Sequence, residues 1–430
     1  MKKFSILLAM ILAMGVLGCQ KEEVKKEPVS QTSPTTENVI DAEISEIDSV
    51  KIELSNGEIL VDGEKISEDK DATVYKANDI IFYLEGQGIE YGAGKKRDEH
   101  SQIEGNAHTV VYITEPGTYE LSGSLDAGQI FVDLGDGTKK DEEAVANIIL
   151  NNVDISCTVA PAILFYRTYE CDHDTEAEDA KMDVDTSAAG ANIILAEGSK
   201  NKIYGSYVAE VYEECELNED GTEVIDSKKL HKFDGAIYSR RTMNILGTGS
   251  LLVTAENEGI CSEKHMTIYG GDISIVSGND GINVSDDQIS VFAMHDGQLN
   301  IQVSGETGEG DGIDSNGWLV INGGILNSSS CATSKDAGVD ANHGIFINGG
   351  IVTATGTMEA ELAKGKQAVV SFAGSNVLEA GKTYEVKDEE ENVVMKVAPQ
   401  NACTTVVVSS EELKEYGTYR LWSDKTLIAE

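Results

Sequence analysis

The phrase Asp280-Gly281-Ile282-Asn283 returns as Asp311-Gly312-Ile313-Asp314, and the reading of that recurrence decides the fold. Variants of it stand at Asp234-Gly235-Ala236-Ile237, Glu258-Gly259-Ile260-Cys261 and Ala337-Gly338-Val339-Asp340. A second phrase keeps step: Tyr269-Gly270-Gly271, Asp296-Gly297, Asn322-Gly323-Gly324 and Asn348-Gly349-Gly350. Short β-prone runs lie between them, at Met266-Thr267-Ile268, Leu319-Val320-Ile321 and Ile345-Phe346-Ile347. Strands alternating with glycine turns at this period describe a solenoid whose rungs stack on one continuous core.

A helical solenoid is excluded, because no rung holds a sustained 3.6-residue period and glycine inside a helix costs about 1 kcal/mol. Leucine-rich spacing is absent. A parallel β-helix fits, with three short strands and three corners per rung. Parallel crossovers are right-handed, so the expected fold is all-β, a right-handed parallel β-helix. Aligned on the Gly-Gly corner, Ile268, Ile321 and Ile347 share one inward column, and Met266, Leu319 and Ile345 share another. Period-2 alternation then turns His265, Thr267, Trp318, Val320 and Phe346 outward.

The N-terminus reads separately. Lys2-Lys3, an apolar run from Phe4 to Leu17 and Gly18-Cys19 form a secretory signal too short to span a membrane. The Gly-Cys junction resembles the lipobox of bacterial lipoproteins, which implies cleavage after residue 18, a diacylglyceryl group on Cys19 and membrane attachment through that lipid alone. The expected location is extracytoplasmic, on the bacterial cell membrane. Residues 19–49 are polar, with Pro28 and Pro34, and read as a tether. The β-helix is expected over 50–360 and a small β cap over 361–430, after a brief helix-like stretch at Glu359 to Lys366.

The 430 residues carry a net charge of −42, which makes nucleic acid a poor partner and cations good ones. Beyond Cys19 the cysteines are scattered with no C-x-x-C pair, so zinc-ribbon and dithiol redox chemistry are unsupported. Cys171 and Cys215 lie in two acidic insertions, Tyr169–Ser187 and Val211–Lys229, which read as solvated loops. Export permits their pairing.

Stacked corners carry the chemistry. Strand spacing would set Asp234, Glu258, Asp280 and Asp311 about 4.8 Å apart in one column, with Asp336 displaced by one place. Asn283, Asp314 and Asp340 would form a second column beside it. Two unit charges about 5 Å apart repel by roughly 3 kcal/mol at an effective dielectric of 20. Such a ladder protonates, splays into water or holds cations. All-oxygen ligands with glycine-corner carbonyls favour calcium. The metal-ligand candidates are Asp280, Asp311, Asp314, Asp340, Asp336 and Glu309. The alternative is that these aspartates only satisfy turn backbone groups.

Gly-Thr-Tyr-Glu-Leu-Ser-Gly at 117–123, Ile149-Leu150-Asn151-Asn152-Val153, the Asp-Gly-Ile corners and the terminal Gly417-Thr418-Tyr419 together resemble a family of secreted bacterial carbohydrate-binding β-helix proteins. The resemblance covers roughly residues 50–425. It implies a polysaccharide-lyase-like architecture, bound calcium and association with cellulose or pectin-type acidic sugars. The two acidic insertions depart from that family's compact pattern. A binding protein would use calcium to bridge its own carboxylates to those of a uronic-acid polymer, with Trp318 as a platform for a sugar ring. A lyase acting on such polymers would need a base, and Lys264, Lys335 and Arg240-Arg241 are the residues on offer in the central rungs. A structural surface protein or adhesin is the third reading.

The lipidation reading makes a direct expectation. Cys19→Ser should move the protein from the membrane fraction to the soluble one, since the acyl chains have no attachment point. Unchanged membrane retention on fractionation would contradict it.

Overall fold

Five rungs follow one another in the order that the glycine phrases set. One runs Glu258–Ser262, His265–Ile268, Asp272–Ser277; the next Ile282–Val284, Val291–Met294, Gln298–Val303; the next Ile313–Ser315, Trp318–Ile321, Ile325–Ser329. Each strand pairs in parallel with its counterpart one turn on. The protein is therefore a parallel β-helix, and its three strands per turn define a first, second and third face. The computed structural model describes residues 48–430. The signal, Cys19 and nearly all of the tether lie outside the described residues.

Earlier turns obey the same rule less regularly. The long strand Ala146–Cys157 serves two faces at once, pairing with Ala191–Leu195 on one and Lys200–Gly205 on the other. It bends at Asn152, whose φ of 60° is one that asparagine tolerates better than most residues.

Register and core agree with the sequence pattern. Ile148, Ile193, Ile245, Ile268, Met294, Ile321 and Ile347 form one stacked, buried column. Ala146, Ala191, Met243, Met266, Phe292, Leu319 and Ile345 form another, small at one end and large at the other. Stacking like on like buries a methylene-rich strip along the coil, at about 25 cal/mol per Å² of apolar surface.

The outward column departs from expectation. His265, Thr267 and Val320 are buried, while Trp318 and Phe346 are half-buried. For His265 and Thr267 the cause is the first insertion, which folds back over the second face. Thr186 Oγ1 lies 2.8 Å from Thr267 Oγ1, and Asn244 Nδ2 donates to the Thr186 carbonyl at 2.8 Å. His265 Nε2 is 3.0 Å from Asp172 Oδ2, and its Nδ1 accepts the Val291 N–H at 3.1 Å. Glu170, buried, accepts both the N–H and the hydroxyl of Thr242 at 2.7 Å. The segment is thus a strap pinned at both ends, with residues 174–185 between them mostly exposed as expected of a solvated loop.

The second insertion is also structured. Val208–Leu217 and Val224–Phe233 pair as an antiparallel hairpin. The thiols of Cys171 and Cys215 are free. The expected helix-like stretch at Glu359 to Lys366 is instead irregular, touching the coil through a bridge between Leu362 and Ile345.

Past the last rung the chain reverses. Cys403–Ser409 pairs antiparallel with Ile351–Gly356 and with Val369–Leu378, closing the exposed edge of the coil. Phe372, Tyr384, Val386, Val406, Val408 and Leu421 build a separate small core there.

Corner glycines set how closely the turns approach. A Cβ on Gly312 would stand 2.2 Å from the Gly338 carbonyl oxygen and 1.8 Å from Ser328 Oγ. Gly312→Ala should therefore destabilise the fold by about 1–3 kcal/mol, as overpacking does. Urea denaturation measures it, and a midpoint equal to that of the parent would show that the corner has slack.

Candidate metal centre

The third face turns into the first at the corner that carries the acidic phrases. Backbone bonds clamp these corners together: Gly259 N donates to Asp280 O at 2.9 Å, Gly281 N to Asp311 O at 3.0 Å and Gly312 N to Ala337 O at 2.9 Å. The same clamp forces the side chains into register. Asp314 pairs with Asn283 before it and Asp340 after it.

Asp311, Asp314 and Asp340 converge, each offering a carboxylate oxygen within 4.8 Å of the others. All three are half-buried. Asp280 is buried one turn earlier, where Oδ1 accepts the Asp311 N–H at 2.7 Å and Oδ2 accepts from Asn283 Nδ2 at 3.2 Å. Asp311 Oδ1 accepts the Ala337 N–H at 2.6 Å. These two aspartates thus do satisfy backbone groups, as turn residues do, and Asp311 takes part in the cluster as well.

Asp336 and Glu309 are not drawn into the cluster. Asp336 Oδ2 accepts the Gly310 N–H at 2.9 Å and the Ser334 hydroxyl, so it holds the neighbouring turn. Glu309 is exposed on a glycine-rich loop. Asp234 also leaves the expected column. Ala236 adds a residue, so that Gly235 rather than Asp234 pairs with Glu258. Trp318 lies on the second face, its ring 4.8 Å from that of His343.

Electrostatics divide the ladder in two. At its early end Lys232, from the hairpin, reaches Asp234 Oδ2 at 2.8 Å. Next to them Cys261 Sγ donates to Glu258 Oε2 at 2.8 Å, and burial, then the charges of Asp234 and Asp280, holds Glu258 well above the usual carboxylate range. At the later end no lysine or arginine pairs with Asp280, Asp311, Asp314 or Asp340 among the described residues. Burial, then the Asp314 charge, pushes Asp280 up to about 7. Burial, then Asp280 and Asp340, pushes Asp311 to about 8, and burial with Asp340 pushes Asp314 to about 6.

Asn283 carries a second signal. Its Oδ1 is buried without a hydrogen-bond partner, while its Nδ2 donates to Asp280 and, at 3.3 Å, to Glu258 Oε1. A buried acceptor left unmatched costs about 1–3 kcal/mol. Its column position was legible in the sequence; its missing partner was not. Lys232 was missed altogether, because it lies in the hairpin strand just beyond a charge-rich insertion, where nothing marks it out.

A parallel β-helix with an acidic corner is the class that these elements define. A family model described as carbohydrate-binding domain-containing protein matches residues 107–175 and 175–410, and the chain belongs to that family. A relative of the same description from Acetivibrio thermocellus is 31% identical over 166 residues, 38% of this chain and 44% of that protein, so the match spans less than half of the relative's length. A solved structure of a polysaccharide lyase-like protein from C. thermocellum, a gadolinium derivative, superimposes with a TM-score of 0.40 at 21% identity, over 74% of this chain and 96% of that one.

The raised carboxylates set a pH dependence. Each binds its proton more tightly in the fold than in the unfolded chain, so the folded state holds more protons between the ordinary value near 4 and the raised values up to about 8. Stability conferred by the neutral forms is present below that window and is lost as pH rises through it. Melting temperature in chelator should fall from pH 4.5 towards pH 8 on account of these groups. Asp311→Asn with Asp314→Asn should flatten the slope; an unaltered slope would assign it to other groups.

Proposed function

We propose that the corner cluster binds calcium and that the protein uses it to hold an acidic polysaccharide. The observation that carries this reading is the unmatched Asn283 Oδ1 set in the same column as Asp314 and Asp340. Three carboxylates and an amide oxygen make an all-oxygen donor set, the kind that hard cations of flexible coordination prefer. Asp311, Asp314, Asp340 and Asn283 would hold the ion. The ion would supply positive charge to which a uronate carboxylate can bind.

The division of the ladder supports the same reading. Where Lys232 stands, the protein brings its own cation; at the later rungs no lysine or arginine among the described residues pairs with the carboxylates. With a net charge of −42, a direct contact with an anionic glycan would be repulsive, and a shared cation removes that conflict. Family membership supports carbohydrate as the ligand class. Lipid attachment at Cys19, with the tether behind it, would present this binding surface outside the cell membrane.

A lyase would need a free base beside the cluster. Lys264 is paired with Asp286 at 3.2 Å, Arg240 lies over Tyr166 and near Glu263, and Arg241 is committed to the Arg240 carbonyl. Lys335, exposed next to Asp336, is the remaining candidate. Following the binding mixture for absorbance of an unsaturated uronate product separates the two activities.

Calcium at about 100 times its dissociation constant should add about 2.7 kcal/mol to the stability of the parent. Asp311→Asn with Asp314→Asn should abolish that rise and calcium-dependent retention on polygalacturonate, leaving the β-sheet spectrum unchanged. Equal melting temperatures of the parent in millimolar calcium and in chelator would overturn the proposal.

A further inference from the structure

The third face carries a different chemistry from the acidic corner. Its outward positions stack Lys202, Leu252, Ser274, Asn300, Asn327 and Thr353, one per turn. Strand spacing repeats them about every 4.8 Å. The last three line a cavity of about 320 Å³, closed on its far side by Lys396, Pro399 and Gln400 from the cap. No carboxylate lines it, in a chain with 75 acidic residues.

The cavity is built rather than incidental. Its cap wall is tied to the coil: Asn401 Nδ2 donates to the carbonyls of Val303 at 2.6 Å and Ser330 at 2.8 Å. Gln400 N donates to Ser329 Oγ at 3.2 Å, and Gln302 Nε2 to Asn401 Oδ1 at 3.1 Å. A wall held this way is ordered before a ligand arrives, which removes part of the entropic cost of binding. On the coil side Asn327 Nδ2 donates to Asn300 Oδ1 at 3.0 Å. That bond orients both amides and leaves Asn300 Nδ2 and Asn327 Oδ1 without a protein partner among the described residues. One is a donor and the other an acceptor.

We infer that this cavity is a second carbohydrate site, specific for an uncharged, hydroxyl-rich saccharide unit. A sugar hydroxyl both donates and accepts, and the Asn300–Asn327 pair presents both partners with the Thr353 hydroxyl beside them. Lys396 is the one charged side chain of the lining and is exposed, so it lies against a field set by a net charge of −42 that disfavours anions. A polymer lying along the column would meet a polar group at Ser274 before its end unit entered the cavity at Asn300, Asn327 and Thr353. This site needs no cation and is independent of the calcium reading.

The test uses the full-length protein in chelator, titrated calorimetrically with uncharged hexasaccharides of β-linked glucose and of β-linked mannose. At least one should bind. Asn327→Ala and Thr353→Val should each weaken it about tenfold, the scale of one lost hydrogen bond. Asp311→Asn with Asp314→Asn should leave it unchanged. Thr353→Val conserves shape, and melting curves confirm that each variant is folded. Failure of both sugars to bind in chelator overturns the inference. So does binding that neither variant alters, or tighter binding of a hexagalacturonate than of either neutral sugar under the same conditions. Loss of calcium-dependent retention in the parent would affect the corner reading alone.

Discussion

Everything in this protein follows from the hydrogen bonds between one turn and the next. They hold parallel strands about 4.8 Å apart along the whole coil, so each side chain stands directly over its counterpart. For Ile268, Ile321 and Ile347 that proximity is favourable, since apolar surface is shielded by more apolar surface. For Asp311, Asp314 and Asp340 the same spacing is unfavourable, since like charges are brought together in a half-buried setting. One constraint thus builds both the core and the candidate site.

The chain relieves that repulsion in several ways at once. Asp280 and Asp311 take backbone N–H groups from the following turn, which favours their charged forms. Lys232 neutralises the early end of the ladder from the hairpin. The Cys261 thiol donates to Glu258, and burial favours the neutral carboxyl there. Among the described residues, only the later rungs keep several carboxylates and an unmatched amide oxygen together, which is why the binding proposal rests there and not on the ladder as a whole.

The first insertion shows how the coil hides polar residues. Asn147, Asn192 and Asn244 hydrogen-bond up the second face, and the strap at 169–187 covers the end of that column through Thr186. His265 and Glu170 are buried polar groups with partners, so the strap seals without leaving them unmatched. Among the described residues the first insertion gives the third face no such cover. Its asparagines remain open to a ligand, bounded only by the cap loop.

The sequence by itself determined the coil, its interior columns and the corner that gathers carboxylates, because a repeat transmits its register from each turn to the next. Glycine phrases at 281 and 312 leave no alternative alignment for Ile282 with Ile313 or for Asn283 with Asp314. Where the repeat is broken, that inference had nothing to propagate. Asp234 slipped by one residue through Ala236, Asp336 was turned to a local duty, Glu309 was left exposed on a loop, and His265 was buried by a strap from 93 residues away. Tertiary structure alone decided which outward faces stay open and which carboxylates lack a cation, since both depend on where the non-repeating segments fold back. Lys232 and the loop at 399–401 act through contacts that no local pattern encodes.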